Sequence, residues 1–260
     1  MESAVIAFSG GVDSSLLLSV AREVIGKRVL AVTAISPTYP REEAALAGQI
    51  AKRIGARFIR VRTSETKDKR FLQNPPSRCY FCKLELFRSL QSIADRSKIR
   101  FILDGSNVDD LRDSRPGRKA AKELGVRSPL QEAGLAKEEI RYLAKKRGLP
   151  NWAKEQLACL ASRFPYGTEI TPEDLQRVSC AESFLRRLGF TNVRVRHYGA
   201  LARIEVSEDQ IEKLSRSAVR KKVLRKLKAL GYTYSTIDLQ GYRTGSLNEV
   251  LRRKWALSEK

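Results

Sequence analysis

The stretch SGGVDSS at residues 9–15 constrains this chain most, because it joins a strand pattern directly to a helix pattern. Residues 4–8, AVIAF, form a short apolar run. SLLLSVAREVIG then carries apolar residues at near-helical spacing and ends in glycine. The unit reads as strand, loop, helix. Two glycines let backbone N–H groups approach an anion without Cβ obstruction, two serines add hydroxyl donors, and Asp13 adds a carboxylate. The N–H groups at the helix start, near Ser14 and Ser15, suit a phosphate. The stretch contains no lysine, so it is not the GxxxxGK[ST] loop, and it does not fit GxGxxG either.

The alternation continues. Strand patterns at 29–35, 57–63 and 100–107 are separated by helix patterns at 41–55 and 82–97. Such alternation implies βαβ units and a parallel sheet, with ligands beyond the carboxyl ends of the strands. SGGVDSS and DGSNVDD both fall there, which is consistent with one shared pocket. From about residue 165 the texture changes to a helix over 171–189 with Thr171 as N-cap, two short alternating strands joined around Gly199, a basic helix over 208–229, and a strand over 232–239. The expectation is an α/β domain, 1–164, followed by a smaller α+β domain, 165–260, serving substrate-phosphate binding or oligomerisation.

At 260 residues and 42% hydrophobic content the chain can bury a real core. It has no apolar run near the roughly 18 residues that span a bilayer, and MESAVIAFSGG lacks the basic region of a signal peptide. A cytoplasmic location is expected. The formal charge of +21 attracts polyanions, RNA first, and equally a small substrate bearing phosphate and carboxylate groups. Residues 213–228 hold eight basic residues and no acidic one, the pattern of an amphipathic helix with a solvated basic face or one turned to RNA or a subunit.

The cysteines are Cys79, Cys82, Cys159 and Cys180. Cys79 and Cys82 form a C-x-x-C, which by itself fits zinc ligation, cluster ligation, a redox dithiol or packing. A closed zinc site needs two further ligands, and the sequence offers one histidine, His197, and no second C-x-x-C. Cys180 reads as a small buried thiol on the apolar side of its helix. Arg194 and Arg196 alternate along a strand and so share a side, where they suit a phosphate in forked geometry. His197 points the opposite way and reads as structural.

The strand–SGGVDSS–helix unit resembles the PP-loop ATP pyrophosphatases, with Ser9, Gly10, Gly11, Asp13 and Ser14 at the matching positions. No cysteine follows Met1, which removes an N-terminal glutaminase nucleophile. The resemblance then narrows to the LarE family of ATP-dependent sulfurtransferases that act on pyridinium-3,5-biscarboxylic acid mononucleotide. It rests on AFSGGVDSSLL, NPPSRCYFCK, DGSNVDD followed by RPG, ELGVRSPL, ACLASRFPYGTEIT, VRHYGALARIEV and IDLQGYRTGSLNE, and so covers essentially the whole chain. One departure is visible: WAKEQLAC has Glu155 where the family usually shows proline.

The resemblance implies ATP and Mg2+ as cofactors, adenylation of a substrate carboxylate, and displacement of AMP by sulfur in nickel-pincer cofactor biosynthesis. It places catalysis on Cys159 and the substrate on Ser162, Arg163, Arg194 and Arg196. Two sulfur sources are known in the family. Either the cysteine in ACLASR gives up its own sulfur and is left as dehydroalanine, or three cysteines hold a [4Fe–4S] cluster bearing a transferable sulfide. The cysteine complement here implies the cluster, on Cys79, Cys82 and Cys159. A small-molecule mononucleotide, a homo-oligomer, and neither a membrane nor a nucleic acid complete the expectation; a tRNA-modifying PP-loop enzyme is the rival reading.

Overall fold

The computed structural model describes residues 1–111, 116–155 and 158–249. Arg115 of the RPG motif, and Gln156 and Leu157 of WAKEQLAC, lie outside the described residues. The chain divides into two compact units, Met1–Ala158 and Cys159–Lys260, so that Cys159 to Phe164 group with the second unit rather than with the first.

In the first unit the order is β1 (Ala4–Ala7), α1 (Val12–Ile25), β2 (Val29–Ile35), α2 (Arg41–Ile54), β3 (Arg57–Arg62), α3 (Lys69–Leu72), α4 (Arg78–Arg96), β4 (Phe101–Leu103), α5 (Gly117–Glu123), α6 (Pro129–Glu132) and α7 (Lys137–Lys146). The strands form one parallel sheet in the order β3-β2-β1-β4. Strand residues alternate between its faces. Ala4 and Ile6 pack with Leu16 and Leu18 of α1, Ile50 of α2 and Ile140 of α7. Val5, Leu30 and Val32 pack on the other face with Phe87 and Leu90 of α4 and Ala120 of α5. Helices therefore cover both faces, as a parallel sheet requires. The edge strand β3 carries Arg57, Arg60 and Arg62, and such charges discourage pairing with another chain.

Three boundaries differ usefully from expectation. Helix α4 starts at Arg78 rather than at 82, directly after Pro75-Pro76-Ser77, so Cys79 and Cys82 lie in its first turns. Strand β4 ends at Leu103 because Asp104 turns its side chain back to accept from the amide and hydroxyl of Ser106. The basic segment is two helices, broken where Arg216 adopts an extended backbone (φ −58°, ψ 135°).

In the second unit α8 (Pro172–Arg187), β5 (Arg194–Tyr198), β6 (Leu201–Glu205), α9 (Ile211–Ser215), α10 (Ser217–Ala229) and β7 (Tyr234–Ile237) build a three-stranded sheet, β5-β6-β7, antiparallel then parallel. One face buries Val195, Ala202 and Ile204 with Leu185 of α8 and Val223 and Leu227 of α10. The other face is where the arginines lie.

Candidate active site

In the first unit β1 delivers the chain to the loop and α1 begins at Val12 with Gly11 as its N-cap. Gly10 has φ +73°, and a Cβ there would stand 3.0 Å from the Ala47 Cβ of α2, so glycine is required on both counts. Hydroxyls shape the loop from within. The Gly11 N–H donates to Ser9 Oγ at 3.2 Å, Ser14 Oγ donates to the Gly11 carbonyl at 3.1 Å, and the two serine oxygens lie 3.1 Å apart. Ser9, Gly10, Gly11, Asp13 and Ser14 are thus one constellation at the N-terminus of a 14-residue helix, where amide dipoles favour an anion.

The DGSN segment closes on this loop. A Cβ on Gly105 would stand 2.9 Å from the Ser14 backbone nitrogen, so β4's exit packs backbone to backbone against the start of α1. Asp104, buried, accepts from Ser106 and from Ser128 Oγ at 2.6 Å. That ordering presents Asn107, whose Nδ2 donates to Asp13 Oδ1 at 3.2 Å. Lys137 Nζ reaches Asp13 Oδ2 at 2.5 Å. On the inner side Asn151 Nδ2 donates to the Gly10 carbonyl and to Ser15 Oγ, both at 2.9 Å, and Lys154 pairs with Glu43 of α2.

Sequence reading missed three of these side chains, Asn107, Lys137 and Asn151. Asn107 sits in a quoted motif, and Asn151 stands one residue before WAK. For Lys137 the readable signal is a lysine at the first position of a helix, the end that disfavours cations.

Cys79 is exposed and Cys82 half-buried, three residues apart on α4, a spacing that puts both on one helix face. Cys159 belongs to the second unit. Among the described residues no three Cys, His, Asp or Glu side chains form a group able to hold a metal ion. The expected [4Fe–4S] ligands are divided between the units, Cys79 and Cys82 in the first and Cys159 in the second. None of the four cysteines is in a disulfide; Cys180 on α8 is half-buried rather than enclosed.

In the second unit Cys159 precedes a single 3-10 turn, Leu160–Arg163, whose shape is fixed from below. Ser162 Oγ donates to the Cys159 carbonyl at 2.7 Å, and Arg163 Nη1 donates to the same carbonyl at 3.1 Å and to Ser162 Oγ at 2.8 Å. Arg163 is itself forked onto Glu182 of α8 at 2.7 and 3.0 Å, with both side chains inaccessible. Burial opposes ionisation of Glu182. The Arg163 and Arg186 guanidiniums and the Val195 amide outweigh it and hold that carboxyl below its ordinary range.

Arg194 and Arg196 share the polar face of the sheet, opposite Glu205 and Arg203. Arg196 is forked onto Glu205 at 2.8 and 2.9 Å and also donates to the Ser162 carbonyl at 2.7 Å and Ser246 Oγ at 2.8 Å. Arg194 differs. Its hydrogen bonds run to the Val193 carbonyl at 2.8 Å and the Tyr242 hydroxyl at 3.4 Å, its guanidinium lies over the Tyr242 ring, and it makes no salt bridge among the described residues. Burial, and then the neighbouring Arg163 charge, pull its pKa down. The structure thus brings Ser162, Arg163, Arg194 and Arg196 together, and of the three arginines Arg194 is the one with no salt bridge among the described residues. His197 points to the apolar face, as expected, with Nδ1 3.1 Å from the Tyr232 hydroxyl and its ring 5.0 Å from that of Phe164.

Comparison with known proteins adds the deciding observation. No family model matches the chain. It is, however, 39% identical over 254 residues, 97% of its length and 91% of the relative's, to a Lactiplantibacillus plantarum protein named pyridinium-3,5-bisthiocarboxylic acid mononucleotide synthase. The chain belongs to the LarE family. A second relative, an uncharacterized protein of Synechocystis sp., is 46% identical over 97% of the chain and 94% of its own length. A more distant one, the B subunit of the glutamine-hydrolyzing GMP synthase of Archaeoglobus fulgidus, is 26% identical over 70% of the chain and 63% of its own. That last likeness fits the PP-loop, Rossmann-like architecture of the first unit. No helix among the described residues is long and apolar enough to cross a membrane.

Proposed function

We propose that this protein is an ATP-dependent sulfurtransferase that converts a carboxylate of pyridinium-3,5-biscarboxylic acid mononucleotide to a thiocarboxylate, a step of nickel-pincer cofactor biosynthesis. The observation that carries the reading is the preshaped SGGVDSS loop at the start of α1, in a chain of the same family as a named mononucleotide synthase.

The carboxylate oxygen attacks the α-phosphorus of ATP, the bond to the β-phosphate oxygen breaks, and an acyl-adenylate forms with release of pyrophosphate. Backbone amides at Gly10 and the opening of α1, in a loop that Ser9, Gly11 and Ser14 hold in shape, meet the charge growing on the leaving group. Asp13, the carboxylate beside the loop, would help to hold Mg2+, which would supply positive charge to the phosphates. The substrate phosphate falls to Arg194, with Arg196 and Ser162 beside it, because Arg194 is a buried cation with no salt bridge among the described residues.

Cys159 carries the sulfur in this reading. Its thiolate attacks the acyl carbon and AMP leaves with the electron pair of the broken C–O bond. Loss of the Cα proton and cleavage of Cβ–Sγ then free the thiocarboxylate and leave dehydroalanine at 159. Cys79 and Cys82, side by side on α4, are what favours the cluster route instead.

One experiment separates these. Protein purified without oxygen is assayed for substrate-dependent formation of AMP and pyrophosphate, for iron and acid-labile sulfide, and for intact mass after turnover. A Cys159 peptide lighter by the mass of hydrogen sulfide, in iron-free protein, supports the sacrificial route. Iron and sulfide that vanish in Cys79→Ala, with Cys159 intact over many turnovers, assign the sulfur to a cluster. Absence of substrate-dependent AMP formation, with tight and steeply salt-dependent tRNA binding, would favour the tRNA-modifying rival.

A further inference from the structure

SGGVDSS carries no lysine, whereas an ammonium on the outer phosphates is the usual complement to a glycine-rich loop. The fold delivers one from 124 residues away: Lys137 Nζ sits 2.5 Å from Asp13 Oδ2, in the first turn of α1. We infer that Lys137 is a nucleotide-binding residue whose ammonium, parked on Asp13, contacts the β- or γ-phosphate of bound ATP. The inference rests on the reading of the loop as an ATP site.

Three observations support it. The pair is accessible, with the side chains 28% and 20% exposed, so an incoming anion can reach the ammonium. A pair open to solvent on one side is held less tightly than a fully buried one, which eases exchange of partner. Next, Lys137 is the first residue of α7, where a cation opposes the helix dipole. The helix does not need it there: Glu138 and Glu139 already supply the favourable charges, Glu139 accepts from the Ala136 amide, and Asp109 accepts from the Lys137 amide. Its backbone is pinned while its flexible stem projects toward the loop. Finally, Asp13 has a second donor. Asn107 Nδ2 stays on Oδ1 when Lys137 leaves Oδ2, so the carboxylate keeps its orientation and gains an open oxygen for Mg2+. A compact ammonium with three donors suits such a handover better than a rigid guanidinium fork.

The test is nucleotide binding by calorimetry in the full chain, with Mg-ATP and with AMP, for wild type, Lys137→Met and Lys137→Arg. Losing one charged hydrogen bond predicts Mg-ATP binding weakened about 10- to 100-fold in Lys137→Met, with AMP unchanged and Lys137→Arg in between. Equal loss for AMP and ATP, or none for ATP, would overturn the inference and leave Lys137 a strut between α7 and α1. Failure of wild type to bind Mg-ATP at all would overturn instead the reading of the loop beneath it. Thermal unfolding of each variant identifies any that is merely misfolded; Lys137→Gln, shorter and neutral but with an amide donor for Asp13, then replaces Lys137→Met under the same criteria.

Discussion

Arg163 and Glu182 form a closed fork, 2.7 and 3.0 Å, in which the arginine's remaining donors hold the carbonyl of Cys159. The position of the cysteine backbone thus depends on a carboxylate 23 residues further along, in α8. Removing one member of a buried pair leaves the other charged and unsolvated, which costs about 3–5 kcal/mol. Glu182→Gln should therefore lower unfolding stability by that order at pH 7. Because the folded-state pKa is depressed, the stabilisation is present above the ordinary carboxylate range and is lost as pH falls through the folded value. Urea unfolding between pH 7 and pH 3 should show a steeper acid loss in wild type than in Glu182→Gln. Parallel curves would mean that the ion pair contributes nothing net.

A methyl group at Gly105 has nowhere to go. Its Cβ would meet the Ser14 amide nitrogen at 2.9 Å and the Ser14 Cα at 3.1 Å, both backbone atoms that cannot swing aside. Overpacking of this kind costs about 1–3 kcal/mol, and here the displaced element is the phosphate-facing start of α1. Gly105→Ala is expected to weaken Mg-ATP binding, measured by calorimetry, more than it lowers the melting temperature. Unchanged binding would show that α1 can retreat without opening the loop.

The parallel sheet, the loop and the α+β tail were legible in the sequence because each rests on local periodicity and glycine placement. What was not legible lies at long sequence range. Nothing local to Lys137 or Asn151 says that each ends at residues 9–15; only closure of the sheet with α7 behind it does. The arginines were found, but not their division of labour. Arg163 and Arg196 are committed to Glu182 and Glu205, whereas Arg194 makes no salt bridge among the described residues, a distinction set by which carboxylates the fold buries beside them. Cys79 was expected ahead of the helix that Cys82 opens, whereas the Pro-Pro-Ser start draws both into its first turns.

Asn151 braces the loop from within the first unit. Its amide donates to the Gly10 carbonyl and to the hydroxyl of Ser15, which is fully buried. Asn151→Ala strands both acceptors, at about 1–3 kcal/mol for buried groups left unsatisfied. Asn151→Asp should be worse, since a carboxylate facing a carbonyl oxygen has no proton to offer. Hydrogen exchange of the amides at residues 9–15 is the readout. Faster exchange there in Asn151→Ala, with the core of β2 unchanged, is expected; uniform acceleration across the unit would mark Asn151 as a general packing residue.

His197 should add to the acid sensitivity of the second unit. Burial holds its pKa below the ordinary value; the Asp174 carboxylate, 3.7 Å from Nε2, opposes that shift and the Arg177 charge reinforces it. The folded ring therefore takes up its proton at lower pH than the unfolded chain, whose histidine titrates near the ordinary value of about 6.5. Unfolding becomes easier as pH falls below about 6.5, because the unfolded state binds the extra proton, and the effect is absent above it. The groups around the ring are Phe164, Tyr232 and Asp174, and Tyr232, itself held protonated by burial, does not titrate in this range. His197→Gln, which keeps a polar atom for the Tyr232 hydroxyl, should flatten the melting temperature between pH 7.5 and pH 5.5 relative to wild type. Identical pH dependence in the two proteins would mean that His197 is protonated in the folded state, with Asp174 as its counter-ion.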